Sequence, residues 1–256
     1  TREKSGKPYP DMVKYGDDIW HCIHPEFLAD QLTLSLDRLG LATLDVCLLH
    51  NPEYFLSHAT RLGAGEQREL STLRDEFYAR LQLAFEYCER QVEAGRLRGY
   101  GVSSNTSTAS PDEPGATSVS RMIEAAKAAA KNVGAAAHHF TVLQCPMNVH
   151  ESGAALIKNT GPDNGSTLLD EALREGVAVL VNRPLNAMPA QRGGVVRLAD
   201  VPVPAPEADF ETQRQKVALL EEEYRKDLAP AVAHSGQGML PADFFRWADE
   251  LNRIRT

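Results

Sequence analysis

Residues 44–52 read LDVCLLHNP, and these nine residues indicate the fold class most clearly. Its first six residues form a short, largely apolar run with the length of one buried strand, and His50 and Asn51 follow where that strand should end. Residues 26–39 precede it with leucines recurring near one helical face, and Gly40 supplies a stop. A helix followed by a buried strand is typical of the repeating unit of a parallel α/β sheet.

Three similar units follow along the chain. In the clearest of their helices, Phe77, Leu81 and Phe85 recur at helical spacing, and Gly95 follows where the helix should end. Four such units predict an α/β protein with parallel strands. The predicted helices are 26–39, 75–94, 118–131 and 168–175, and the predicted strands are 44–49, 99–102, 140–144 and 177–181.

The rest of the chain has a different pattern. Residues 106–117 and 152–167 are rich in Ser, Gly, Pro and Asn and predict long loops, which are uncommon in compact domains unless they are functional or mobile. Residues 186–209 are rich in Pro and contain one possible extended stretch, at 195–198. Helices are predicted beyond it, at 210–227 and 241–254.

The composition is that of an ordinary globular protein, with 43% hydrophobic and 24% charged residues in a chain of 256. The formal net charge is −8 and no long basic run occurs, so nucleic acid is not an expected partner. We expect neither membrane insertion nor secretion, because no apolar run approaches roughly 20 residues and no signal peptide is legible. The four cysteines form no C-x-x-C pair and predict free thiols in a reducing compartment, cytoplasmic or organellar.

Polar side chains follow each of the four predicted strands. In a parallel sheet the carboxyl ends of the strands meet at one edge, where the chemistry of such folds is concentrated. We therefore expect an imidazole, hydroxyls, amides and a guanidinium to lie close together. The residues at these ends are His50 and Asn51, then Ser103, Ser104 and Asn105, then Gln144 and Asn148, and finally Asn182 and Arg183.

These residue types allow two interpretations. An imidazole beside a hydroxyl and an amide could orient a substrate carbonyl and hold the planar carboxamide of a nicotinamide, as hydride transfer requires. Alternatively, Ser103, Ser104 and Asn105 cap a helix or form an Asx turn, and His50 is a structural residue. The residues alone favour neither interpretation.

A third interpretation is a barrel metal hydrolase. The residues that suggest it are His21 and His24, His138 and His139, and His150 with Glu151. The first pair lies in a loop ahead of a helix, and the second pair precedes its strand, whereas metal ligands in barrels lie at the carboxyl ends of strands. We therefore expect no metal site.

Four motifs resemble those of the aldo-keto reductases, and they occur in that family's order over roughly residues 20–190. Residues 35–40 and 44–52 resemble S-L-x-R-L-G followed by D-x-x-L-x-H-x-P. Residues 95–103 resemble G-K-I-R-x-I-G-V-S, residues 144–148 resemble Q-x-x-x-N, and residues 176–185 resemble G-I-x-V-x-x-x-P-L.

The resemblance implies a (β/α)8 TIM barrel that reduces aldehydes or ketones with NADPH, NAD being the other candidate cofactor. It places His50 on the family's active-site histidine, which orients the substrate carbonyl. It places Ser103 and Gln144 where the family holds the nicotinamide carboxamide, together with either Ser104 or Asn105, because an ungapped match puts Ser104 at the position of the family's Asn.

The sequence also departs from the motifs of this family. Asn182 or Arg183 replaces the aromatic residue that stacks on the nicotinamide. Arg183 is expected either to meet the cofactor's pyrophosphate or to form a salt bridge on the rim. The family's catalytic Asp, Tyr and Lys precede the matched segment, so no residue here is assigned to those roles, and its Lys-Ser-x-x-x-x-Arg clamp has no match after Pro202.

We therefore expect an incomplete aldo-keto reductase barrel over residues 1–200, with residues 201–256 as a helical extension of the same domain. Four strands cannot close an eight-stranded barrel, so the chain is expected to be either a segment of a longer protein or a trimmed scaffold covered by a protein partner. The expected function is NAD(P)H-dependent reduction of a small carbonyl substrate. The alternative is a non-catalytic structural or regulatory subunit of a larger assembly.

Overall fold

The computed structural model describes residues 7–16, 19–61, 69–188, 194–198, 209–232 and 247–248. The chain divides into two compact units, one comprising residues 1–33 and 42–199 and the other comprising residues 34–41 and 200–256. The predicted assignment of residues 201–256 to the same domain as the rest stays a prediction.

The four predicted helix–strand units occur in the predicted order along the chain, with further short elements between and around them. The strands are β1 (Val13–Lys14), β2 (Trp20–His21), β3 (Leu44–His50), β4 (Leu97–Ser103), β5 (Phe140–Pro146), β6 (Lys158–Thr160), β7 (Ser166–Thr167), β8 (Ala178–Asn182), β9 (Asn186–Ala187) and β10 (Val196–Arg197). The helices are α1 (Pro25–Leu39), α2 (Tyr54–Arg61), α3 (Leu70–Glu93), α4 (Val119–Val133), α5 (Gly153–Leu156) and α6 (Leu168–Arg174), with a 3-10 turn at Pro162–Asn164.

Four of these strands form one parallel sheet in the order β3-β4-β5-β8. The short strands pair antiparallel, β1 with β2, β6 with β7 and β9 with β10. The predictions of a mixed α/β fold and of four parallel strands are confirmed. No helix in the described part of the chain is long and apolar enough to cross a membrane.

The core of the first unit lies between one face of the sheet and the helices α3 and α4. Phe77 and Leu81 are fully buried on α3. The ring of Phe85 lies 5.0 Å from that of Tyr100 on β4 and 5.5 Å from that of Phe140 on β5. These aromatic side chains bury the largest apolar areas of the unit, so they hold α3 against the centre of the sheet.

The opposite face of the sheet is less covered. Because side chains alternate along a strand, Val46 on β3 and Leu180 on β8 lie on the face away from the buried aromatic cluster. They are 38% and 47% exposed. Gly101 lies on this face between them, and a Cβ there would come within 1.9 Å of the Val142 carbonyl oxygen. Close approach of β4 and β5 therefore requires glycine at this position.

The structure differs from the prediction at residues 152–167, which are not a plain loop. They contain α5, the β6–β7 pair and the 3-10 turn. Asn159 anchors this segment, because its Nδ2 donates to the carbonyl oxygens of Ser107 at 2.8 Å and Ala109 at 2.9 Å. Side-chain bonds to a distant loop leave no periodic pattern, so the sequence did not indicate them.

Helix α2 was not predicted either. Among residues 54–60 of this helix, two side chains are buried, those of Leu56 and Ala59. One pair of apolar residues three apart is too short a pattern to distinguish a helix from a loop.

The second unit contains the predicted helix over residues 210–227. It comprises α7 (Phe210–Glu223), a π-helical turn (Tyr224–Leu228) and α8 (Ala229–Val232). Asp209 caps α7, because its Oδ2 accepts the backbone N–H of Thr212 at 2.8 Å. The predicted helix at 241–254 lies outside the described residues except for 247–248, which are helical.

Candidate functional site

Three of the predicted site residues form a row across neighbouring strands. His50 pairs in register with Ser103, and Ser103 pairs in register with Gln144. Partners in register project from the same face of a sheet. The hydroxyl of Ser103 donates to Oε1 of Gln144 at 2.8 Å, so these two side chains meet. We call His50, Ser103 and Gln144 the strand-end row.

The strand-end row keeps free hydrogen-bonding capacity. Ser103 is buried, Gln144 is half-buried and His50 is exposed. Oε1 of Gln144 accepts from Ser103. The Nε2 group of Gln144 has no partner among the described residues, so it remains available as a donor. The Ser103 oxygen retains its lone pairs as acceptors. A donor and an acceptor therefore lie side by side at the carboxyl end of β4 and β5.

A polar network flanks the row. Nδ2 of Asn105 donates to Oδ1 of Asn51 at 3.1 Å, and Nη1 of Arg183 donates to Oδ1 of Asn105 at 3.2 Å. Nη2 of Arg183 forms an ion pair of 2.7 Å with Oε1 of Glu151. The structure therefore brings the ends of β3, β4 and β8 together, and it shows the salt bridge that was one of the two expectations for Arg183.

Two members of this network have left-handed backbone conformations. The φ angle is 46° at Asn51 and 54° at Arg183. Asn adopts this region readily, whereas an arginine there costs about 1–2 kcal/mol. Asn148 holds the strained turn, because its Nδ2 donates to the carbonyl oxygens of Arg183 at 3.1 Å and Asn186 at 3.0 Å. Strain of this kind persists only where surrounding contacts enforce it.

Ser104 lies apart from the row. It is buried, and its Oγ accepts the backbone N–H groups of Thr106 and Ser107, both at 3.2 Å. Its Oγ also lies 3.3 Å from Oγ1 of Thr117. The Ser104 hydroxyl therefore stabilises a turn, and no helix begins there, whereas exposed Asn105 lies in the network at the strand ends.

Glu53 is a site residue that the sequence analysis missed. It is only 2% exposed, and its Oε1 accepts the backbone N–H of Asn105 at 2.7 Å. Its Oε2 is buried and has no partner among the described residues. Burial raises the pKa of this carboxyl group to about 7. Its position directly after Pro52 is the only signal in the sequence, and that position does not predict burial.

An aromatic cluster lies beside His50. The ring of Tyr54 stacks on that of Tyr15 with centroids 4.0 Å apart, and its hydroxyl accepts from Nδ2 of Asn51 at 2.9 Å. Nε2 of His21 donates to the His50 carbonyl oxygen at 2.7 Å. Burial lowers the pKa of His21, which favours the neutral ring. These contacts fix the backbone of β3 where it delivers the His50 side chain.

The histidines that suggested a metal site have other hydrogen-bond partners or lie apart from one another. Nδ1 of His139 lies 2.7 Å from Oε2 of Glu89, whose Oε1 accepts the hydroxyl of Tyr100. Within the described ranges, no group of three or more His, Cys, Asp or Glu side chains could hold a metal ion. All four cysteines are free, with Cys47 half-buried and the others buried.

No protein-family model and no curated protein matches this chain. Among solved structures, the chain is similar to the glycerol dehydrogenase AKR11B4 from Gluconobacter oxydans. The two share 14% sequence identity with a TM-score of 0.34, and the match covers 95% of this chain and 67% of that one. A similarity of this size establishes neither a shared barrel nor a shared activity.

Proposed function

We propose that this chain binds NAD(P)H and serves in the reduction of a small carbonyl substrate, as part of an aldo-keto reductase type of TIM barrel. One observation carries the proposal. His50, Ser103 and Gln144 lie in register on three parallel strands, and Ser103 and Gln144 are joined by a 2.8 Å hydrogen bond. These are the residues that the family motifs assign to the substrate carbonyl and to the nicotinamide carboxamide.

The free groups of the row fit a carboxamide. Nε2 of Gln144 can donate to its oxygen, and Oγ of Ser103 can accept from its nitrogen, so both polar ends of the planar group are satisfied. Asn105 is the proposed third partner in place of Ser104, since the Ser104 hydroxyl is occupied by backbone N–H groups. A bound NAD(P)H supplies the hydride, and the protein's part is to hold the ring in place.

His50 is the proposed carbonyl-orienting residue. Its register with Ser103 places its side chain on the face that carries the carboxamide partners. A ring N–H can donate to the substrate oxygen, which polarises the carbonyl and fixes its orientation. The family's Asp, Tyr and Lys are assigned to no residue of this chain, so the property tested first is cofactor binding.

Arg183 is the proposed contact for the cofactor's pyrophosphate. Its guanidinium is paired with Glu151 and its Nε has no partner among the described residues. A pyrophosphate would therefore compete with the Glu151 carboxylate for the same fork of donors. NADPH is the proposed cofactor, with NADH as the other candidate.

A second candidate function is that of a non-catalytic subunit. The observation that favours it is the exposure of Val46 and Leu180 on the sheet face that also carries the row. A protein partner that supplies the remaining barrel strands would cover this face. The four free thiols support a reducing compartment, cytoplasmic or organellar, for either function.

Fluorescence titration with NADPH and with NADH tests the proposal. We expect saturable binding that Gln144→Ala weakens about tenfold or more, since one hydrogen bond to a buried polar group is lost. Gln82→Ala on α3 is the matched control and should bind like the wild type. Absence of saturable binding of both cofactors would refute the cofactor role and favour the non-catalytic subunit.

A further inference from the structure

A cleft of about 380 Å³ lies at the N-terminal end of α4, where the two long loop segments of the sequence meet. Residues 106–117 and 152–167 match no family motif and have no part in the proposed cofactor site. The backbone N–H of Ser118 donates to the Tyr78 hydroxyl at 2.7 Å, and that of Ser120 donates to Oγ1 of Thr160 at 2.8 Å. These bonds fix the start of the helix against α3 and against the segment 152–167.

Two guanidinium groups, those of Arg74 and Arg121, line this cleft. Nη2 of Arg74 donates to the carbonyl oxygens of Pro111 and Glu113, and no carboxylate in the described part of the chain pairs with it. Nε of Arg74 is buried without a partner there. Arg121 lies 4.0 Å above the Tyr78 ring, and among the described residues it forms an ion pair only with the exposed carboxylate of Asp75.

The helix itself adds a donor to the cleft. Arg121 lines the cleft, and its backbone N–H has no partner among the described residues. The start of a helix also carries a partial positive charge. Asn159 lines the cleft and is only 3% exposed, yet its Oδ1 has no partner in the described part of the chain. A buried acceptor left unsatisfied costs free energy that a donor from a ligand would recover.

Acidic and polar side chains line the same cleft. These are Glu124, Asp163 and Asn164. Carboxylates repel a second anionic group but accept hydroxyl donors well, so the cleft is suited to a molecule with one anionic end and a hydroxylated body. Its volume lies at the small end of the range for metabolite sites, roughly 300–1,000 Å³.

We propose that this cleft binds a small phosphorylated polyol or sugar. Arg74, Arg121 and the start of α4 hold the phosphate group, while Asn159 and the carboxylates that line the cleft accept the hydroxyls. Guanidinium forks and helix N-termini are both well matched to phosphate oxygens. The proposal does not rest on the cofactor site, because a protein that fails to bind NADPH would still bind phosphate here.

The test follows the backbone amide resonances of residues 118–121 by NMR while inorganic phosphate, glycerol 3-phosphate or acetate is added at constant ionic strength. We expect saturable shifts with both phosphates, tighter binding of glycerol 3-phosphate, and little response to acetate. Arg74→Gln and Arg121→Gln should each weaken binding about tenfold or more. Arg98→Gln, which removes an exposed guanidinium outside the cleft, is the matched control.

Circular dichroism melts of each variant keep the test decisive. Arg74 also holds a loop, so if Arg74→Gln unfolds, Arg121→Gln carries the result, because its pair with Asp75 is exposed. Shifts that do not saturate, shifts equal in all variants, or acetate binding as strong as phosphate binding would overturn the proposal. The cleft would then be a gap between two packed loop segments and not a binding site.

Discussion

At the scale of single residues, the place of the strand-end row could be predicted, whereas the contacts that loop residues make around it could not. His50, Ser103 and Gln144 each follow an apolar run, so their place at the strand ends was legible, and the structure adds their register. Glu53 and Glu151 come from loops, where burial and pairing depend on contacts with distant segments. The distinction between Ser104 and Asn105 required the local turn geometry, which residue types do not determine.

Glu53 makes the stability of the protein depend on pH. Its pKa is about 7 in the folded protein and about 4.5 in the unfolded chain, so the folded state binds the proton more tightly. This contribution is fully present below pH 4.5 and is lost as pH rises to 7, by about 2–3 kcal/mol. Glu53→Gln keeps the acceptor for the Asn105 N–H and removes the titration.

Denaturant unfolding at pH 5 and pH 8 measures this effect. The wild type should lose about 2–3 kcal/mol more than Glu53→Gln between the two pH values. Asp45→Asn, which changes an exposed carboxylate, should follow the wild type. Equal pH dependence in wild type and Glu53→Gln would show that this carboxyl group titrates normally in the folded protein.

At the scale of elements, long periodic segments were predicted well and most short ones were missed. The helices α1, α3, α4 and α6 and the four parallel strands were predicted to within a few residues, because each carries a short apolar run or a regular apolar stripe. The predicted extended stretch 195–198 contains β10. The β6–β7 pair is stabilised by side-chain contacts instead, and its two strands have three and two residues. Such segments carry too few residues for a period to be seen.

Two glycines are needed for different reasons, one because a side chain would clash and the other because of its backbone conformation. An alanine Cβ at Gly101 would lie 1.9 Å from the Val142 carbonyl oxygen, so Gly101→Ala must push β4 and β5 apart and should cost about 3 kcal/mol or more. At Gly134, which ends α4 with φ of 80°, no atom lies within 4 Å of such a Cβ. Gly134→Ala should therefore cost only about 1 kcal/mol.

The free energies of unfolding of the two variants check this prediction. If Gly101→Ala were as stable as Gly134→Ala, the close approach of β4 and β5 at this point would be contradicted.

At the scale of the whole molecule, the parallel sheet is covered by helices on one face and left partly exposed on the other. Leu143 on β5 is fully buried, whereas Leu180 on β8 is 47% exposed. Leu143→Ala should therefore cost about 2–5 kcal/mol, and Leu180→Ala less than about 1 kcal/mol. A closed barrel would bury both leucines, so equal losses in denaturant unfolding would show that the chain closes this face by itself.

Whole-molecule architecture was the least predictable level. The order of β3, β4, β5 and β8 follows from their motifs, but nothing in a single strand's pattern states how many neighbours it has. The short antiparallel pairs around the sheet likewise depend on contacts that join segments far apart in sequence.

The most direct test of the cofactor site follows the side-chain amide resonance of Gln144 in ¹⁵N-labelled protein while NADPH is added. We predict a saturable shift of this resonance that is absent with 2′-phospho-ADP-ribose, which lacks the nicotinamide. The account is contradicted if saturating NADPH leaves the Gln144 amide unmoved, or if both compounds move it equally.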